Sequence, residues 1–213
     1  MKLKPRIAVI DYGSTNLKSV LGAISQDHLN VRIINSYSEL LTSNFDLMVL
    51  PGVGHFTHGS ISLQQDNLGA GIQDNFSNGT KLLGICLGMH LIFEYSTEGT
   101  GSGLGILKGK ITQVSNHQIP NGISRVNTGW FETESKLKSG KNNLHGYYYF
   151  THSYGLESKD IVNQRELQEL SVIKDTTTVS YFKTEQIVGI QFHPERSHSQ
   201  GRIFLNQLIS GWL

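Results

Sequence analysis

The sequence predicts an α/β fold: a mostly parallel sheet flanked by helices, flavodoxin-like in arrangement, with an added β-rich antiparallel portion in its second half. Three observations carry this. Short β-branched apolar runs alternate with helix-period stretches up to about Glu98. Several of those runs stop at glycine, where a strand turns over into a helix. After Glu98 the texture changes to Gly99, Gly101, Gly103 and Gly105, then to short strand-like runs separated by turn residues.

The elements follow in order. RIAVID, from Arg6 to Asp11, reads as a buried strand. Gly13 follows, with Ser14 or Thr15 as an N-cap and Leu17, Val20, Leu21 and Ile24 at helical spacing. Val31 to Asn35 is a second strand. Phe45 to Leu50 is a third, stopped by Pro51-Gly52. Lys81 to Ile85 is the fourth, and a helix is expected after Cys86. The second half offers KITQV, YYYFTHSY, LSVIK, TVSYF and VGIQF as strands, and Ile203 to Ile209 as a closing helix. There is no repeat, low-complexity tract or linker, so one domain over residues 1–213 is expected.

A chain of 213 residues can bury a substantial core. A net charge of +1 supplies no field for nucleic acid or an anionic membrane. The single cysteine cannot form an internal disulfide and suits a reducing compartment. The apolar stretch Ile7 to Ile10 is too short for a signal peptide. No run approaches the ~20 apolar residues of a membrane helix. The expectation is a cytoplasmic protein.

That cysteine lies in GICLGMH, residues 84–90, between a strand-like and a helix-like run. Gly84-Ile85-Cys86-Leu87-Gly88 is G-x-C-x-G, the thiol form of a nucleophile elbow. Glycines on both sides let strand and helix pass without Cβ clashes. A helix N-terminus favours thiolate over thiol, and the free N–H groups of its first turn, headed by Leu87, can hold an oxyanion. A lone cysteine is more often an inert small hydrophobe. The flanking glycines and the strand–helix context decide for a reactive role.

A thiol nucleophile needs a base, and the base an orienting group. His193 ends the strand VGIQF and is followed by Pro194-Glu195. Proline holds its predecessor extended, so His193 and Glu195 can face one side. Ligands in parallel sheets sit at strand carboxyl ends. Cys86, His193 and the turn Pro51-Gly52-Val53-Gly54 all fall at such ends. The turn either presents N–H groups to an oxyanion or is a plain tight turn. His55 and His58 lie three apart without an evident third ligand, so no metal is expected.

GICLGMH, PGVGHF and FHPE together resemble the class I glutamine amidotransferases, and within them the glutaminase subunit family of imidazole glycerol phosphate synthase. The opening Ile10-Asp11-Tyr12-Gly13, then Asn16-Leu17, is similar to that family, as are Gly129-Trp130, His152-Ser153-Tyr154 and the block from Gln191 to Ser197. The blocks run in order along nearly the whole chain. The resemblance implies a Cys86–His193–Glu195 triad that hydrolyses glutamine through a glutamyl thioester. It implies an oxyanion site at Gly52, Val53, Gly54 and Leu87. Substrate would meet His90, Glu98, His152, Ser153 and Tyr154. Asn16, Trp130 and Arg196 would face a (β/α)₈-barrel synthase subunit in a heterodimer. Ammonia would pass through a channel to that subunit, which makes imidazole glycerol phosphate and a purine precursor in histidine biosynthesis. No cofactor is implied.

This chain departs from the family pattern at three places. His90 stands where the family usually has a substrate-holding glutamine. Val126-Asn127-Thr128 and Phe131 replace the usual residues around Gly129-Trp130, and Ser14-Thr15 replace Met-Gly. The changes near Trp130 allow a paralogue that feeds ammonia to another synthase, such as one amidating a surface-polysaccharide sugar. A cysteine-based redox sensor, a chaperone of related fold or a small-amide hydrolase is the alternative of another class. His193-Pro194-Glu195 discriminates, because a sensor needs no base and orienter. His90, one turn past Cys86, is expected to reach toward the nucleophile, hold glutamine with its ring N–H, and make binding pH-sensitive near the ordinary imidazole range.

Overall fold

A computed structural model describes residues 4–13, 16–24, 29–114, 127–137, 144–161 and 166–213. Ser14, Thr15 and Val126 lie outside the described residues. The first half runs β1 (Arg6–Ile10), α1 (Leu17–Ile24), β2 (Asn30–Ile34), α2 (Tyr37–Leu41), β3 (Leu47–Gly52), α3 (Phe56–Gln64), α4 (Leu68–Ser77), β4 (Lys81–Cys86) and α5 (Leu87–Ile92). The second half runs β5 (Phe93–Ser96), β6 (Leu107–Gln113), β7 (Asn127–Leu137), β8 (Gly146–His152), β9 (Tyr154–Gly155), α6 (Ser158–Ile161), β10 (Glu169–Ile173), β11 (Val179–Lys183), β12 (Ile187–Ile190) and α7 (His198–Trp212).

Nine strands form one sheet in the order β2-β1-β3-β4-β12-β11-β10-β7-β8. The first five are parallel and the other four join antiparallel. The expected parallel sheet with an antiparallel extension is therefore what forms. Strand β1 is buried at every position but Arg6, which is why it reads as an unbroken apolar run. Alternate residues separate onto two faces. Ile7 and Val9 pack with α1 and α7, whereas Ala8 and Ile10 pack with α2 to α5. A smaller sheet has the order β5-β6-β9.

Boundaries moved where packing overrode local pattern. Strand β3 continues through Pro51 and Gly52, which pair with Ile85 and Cys86 of β4. Its pairing with β1 ends at Val49, so the missing N–H of Pro51 falls where the strand has one neighbour only. Helix α5 stops after two turns because Phe93 enters β5 against β6. Strand β12 is shorter than VGIQF: Gln191 and Phe192 bend away after Ile190. Helix α7 starts at His198, well before Ile203, because its polar first turn packs on the bend before it. A side chain at Gly201 would lie 2.1 Å from the Pro194 carbonyl oxygen.

The register aligns the carboxyl ends of the central strands. Gly52 sits beside Cys86, and Ile190 beside Ile85. The turns that leave β3, β4 and β12 consequently open on one edge of the sheet.

Candidate active site

Cys86 is the hinge between β4 and α5, at φ 52° and ψ −111°. A β-substituted residue is held there only when its surroundings over-determine it, at a cost of about 1–3 kcal/mol. The two glycines do this. A side chain on Gly84 would meet the Met89 backbone at 2.7 Å, and one on Gly88 the Leu50 carbonyl oxygen at 1.7 Å. Helix α5 therefore lies directly on β3 and β4, with Cys86 at their junction, buried and unbridged.

His193 follows β12, and its backbone N–H donates to Tyr149 O at 2.8 Å. Pro194 starts a short 3₁₀ turn that brings Glu195 round, so His193 Nδ1 donates to Glu195 Oε1 at 2.8 Å. Both side chains are almost wholly buried. Burial alone would lower the His193 pKa. Cys86 first, and then Glu195, outweigh burial and raise it above the ordinary imidazole value. The imidazolium form of His193 is thus favoured beside the Cys86 sulfur. The ring nitrogen facing away from Glu195, Nε2, has no hydrogen-bond partner among the described residues.

Both residues open on a cavity of about 500 Å³. Its wall also holds Asn16, Val53, Gly54, Leu87, His90, Glu98, Thr151, His152, Ser153, Tyr154 and Arg196. Residues from six separate sequence blocks thus meet at one place. Gly52 lies just beneath. A side chain there would strike Tyr12 Oη at 2.1 Å, and the Gly88 backbone nitrogen stands at 3.0 Å. Gly54 has φ +100°, which only glycine adopts freely, and Val53 is 39% exposed at the turn. Glu98 Oε2 accepts the Phe56 N–H at 2.9 Å, so this carboxylate also caps α3 beside that turn.

His90 differs from expectation. Its Nε2 lies 2.8 Å from Gln191 Oε1, and Gln191 Nε2 lies 3.8 Å from Cys86 Sγ. One ring nitrogen is therefore spent inside the protein. Burial, partly opposed by the Gln191 bond, lowers the His90 pKa to about 4. The ring is neutral near pH 7, and no titration in the ordinary imidazole range arises from it. Proton linkage fixes a stability effect with a definite sign. A depressed folded pKa contributes stability above the unfolded value of 6.5, and that stability is lost as pH falls toward about 4. Between pH 8 and pH 5 wild type is expected to lose about 2 kcal/mol more unfolding free energy than His90→Gln. Urea titrations at both pH values measure this, and equal losses would contradict a neutral buried His90.

His152 is also neutral. Burial lowers its pKa to about 3, the bond to Tyr154 opposes this, and His90 and His193 add to the lowering. Its Nδ1 donates to Tyr154 O at 2.9 Å, which leaves a bare, buried Nε2 acceptor in the cavity wall. Trp130 is 42% exposed, outside the cavity, and stacks on His198 at 4.9 Å. Arg196 lies over the Tyr149 ring at 4.4 Å, on the same strand pair as Trp130. His55 caps α3 through Nδ1, which accepts the Thr57 N–H. Among the described residues no three His, Cys, Asp or Glu side chains converge as a metal site.

Sequence reasoning missed two contributors. Nothing in its own residue type marks Gln191 within the block from Gln191 to Ser197. Yet it stands two before His193, the same interval that pairs His193 with Glu195. Tyr12 has a buried hydroxyl with no partner among the described residues, and burial and then the Cys86 charge raise its pKa. Nothing local marks that hydroxyl, because its neighbours come from β3 and α5.

The glutamine amidotransferase class-I family profile matches residues 8–210. The imidazole glycerol phosphate synthase subunit HisH of Trichormus variabilis is 34% identical, covering 97% of this chain and 96% of the relative. The subunit of the same name from Staphylococcus epidermidis is 36% identical, covering 96% and 97%. A crystal structure of a glutamine amidotransferase superposes with a TM-score of 0.71 at 12% identity, covering 96% of this chain and 98% of that one.

Proposed function

This chain belongs to the class I glutamine amidotransferase family, and from that premise we propose that Cys86, His193 and Glu195 are its catalytic triad. The observation that carries the reading is that Cys86 and His193 open on one cavity, with Glu195 hydrogen-bonded to the His193 ring and the Val53-Gly54 turn in the cavity wall. The Cys86 thiolate attacks the carboxamide carbon of glutamine. Negative charge grows on the amide oxygen, and N–H groups of the Gly52-Val53-Gly54 turn and of Leu87 stabilise it. His193 gives its proton to the departing nitrogen, so ammonia leaves and a glutamyl thioester remains. His193 then takes a proton from water, which attacks the thioester and releases glutamate. Glu195 holds the ring in the correct tautomer and stabilises its cation. Glu98 and the bare His152 Nε2 suit the substrate ammonium, which offers only donors. The whole chain acts as one glutaminase domain in the cytoplasm without a cofactor.

The ammonia passes to a (β/α)₈-barrel synthase subunit that makes imidazole glycerol phosphate and AICAR in histidine biosynthesis. The names of the relatives support this. Exposed Trp130, with Arg196 over the neighbouring Tyr149 ring and Asn16 on the cavity wall, makes the docking surface. A second reading, a paralogue serving another synthase, is favoured by the unusual residues Asn127, Thr128 and Phe131 around Trp130. The test is glutamate release with and without the barrel subunit of the same organism. The expected result is low activity alone, a rise of at least about tenfold on docking, and about 30-fold weaker docking for Trp130→Ala. No stimulation and no binding would transfer the assignment to the paralogue.

A further inference from the structure

We propose that His90 is a positioning residue for the nucleophile, acting through Gln191 to hold a carboxamide N–H donor against the Cys86 sulfur. The proposal deepens the glutaminase reading and rests on it for its kinetic consequences alone.

Gln191 is wholly buried, so both ends of its amide must find partners within the protein. Its oxygen lies 2.8 Å from His90 Nε2 and its nitrogen 3.8 Å from Cys86 Sγ. An amide oxygen only accepts, so His90 carries its proton on Nε2. Turning the amide over would set its oxygen, an acceptor, against the sulfur and would require the other tautomer of His90. The orientation with the donor toward sulfur satisfies both ends of the amide at once. His193 acts on the same sulfur. This explains how a histidine serves where the family's usual residue is glutamine: what the site requires from position 90 is a donor to Gln191.

A contact with glutamine itself would make a different prediction. Losing a substrate contact raises KM and leaves the thiol as reactive as before. Losing a positioning residue lowers kcat and thiol reactivity together, with KM little changed.

The experiment measures iodoacetamide alkylation of Cys86 at pH 7 and steady-state glutaminase kinetics on the full chain, with folding checked by thermal melts. Gln191→Glu is nearly isosteric and puts a carboxylate beside the sulfur. It is expected to slow alkylation and kcat by about tenfold, because a charge-assisted hydrogen bond becomes a repulsion. His90→Leu is expected to slow both by about fivefold, and His90→Gln, which keeps a donor, to restore them to within about twofold of wild type. If His90→Leu does not fold, His90→Asn, which loses the reach, takes its place. Wild-type alkylation rates in folded Gln191→Glu would overturn the proposal. So would a rise in KM alone in the His90 variants. Alkylation needs no glutamine, so a protein that fails as a glutaminase still reports on the His90–Gln191 arrangement.

Discussion

Cys86→Ser is expected to fold like wild type and to lose at least about four orders of magnitude in glutamine hydrolysis. The hydroxyl is nearly isosteric with the thiol, and the strained elbow is imposed by Gly84 and Gly88 rather than by sulfur. The fold is therefore indifferent to the change and the chemistry is not. Much of the raised His193 pKa comes from Cys86. A neutral hydroxyl supplies no charge, so the variant loses the proton donor along with the nucleophile. A glutamine analogue with an electrophilic warhead should label wild type at Cys86 and leave the serine variant unlabelled. Labelling of that variant at another residue, or retained hydrolysis, would remove Cys86 from the mechanism.

His193→Ala and Glu195→Gln are expected to be unequal. Loss of the base should cost about 10³–10⁴ in kcat/KM, and loss of its orienter about 10–100-fold less than that. The double variant should be little worse than His193→Ala, because the two residues act as a unit through one hydrogen bond of 2.8 Å. Glutamine is the better probe at position 195. Glu195 is 3% exposed, so a truncation would also leave the His193 cation without its partner in a dry site. Removing one member of a buried pair costs about 3–5 kcal/mol of stability, which would blur the kinetics. Multiplicative losses in the double variant would show that Glu195 has a task separate from His193.

Most of the frame was legible because its signals are local. The apolar runs of β1, β3 and β4 read as buried strands, since each is covered on both faces. G-x-C-x-G read as an elbow because the close packing of α5 on β3 and β4 admits nothing larger than hydrogen at Gly84 and Gly88. His193 and Glu195 were paired by the two-residue interval across Pro194. Helices α2, α3 and α4 were not delimited. Only Leu40 is buried in α2, and α3 carries Gly59 and Ser60 on its buried face, so their periodicity is faint. The closing helix was cut short because its first turn, His198-Ser199-Gln200-Gly201, has no apolar stripe and is positioned by the Pro194 backbone.

The sequence by itself determined the fold class and singled out the proposed nucleophile, base and orienter. Each is written within a few residues, where glycine, proline and strand alternation restrict the backbone directly. Tertiary structure alone decided what surrounds them. The His90–Gln191 bond joins residues 101 apart, and the cap that Glu98 places on Phe56 joins residues 42 apart. The Tyr12 hydroxyl reaches the underside of Gly52 only because β1 and β3 are neighbours. Which nitrogen of His90 is occupied, and whether its ring holds a charge, follow from burial and from one distant amide. Those are properties of the assembled sheet edge, set by low local polarity and by partners the chain brings together only on folding.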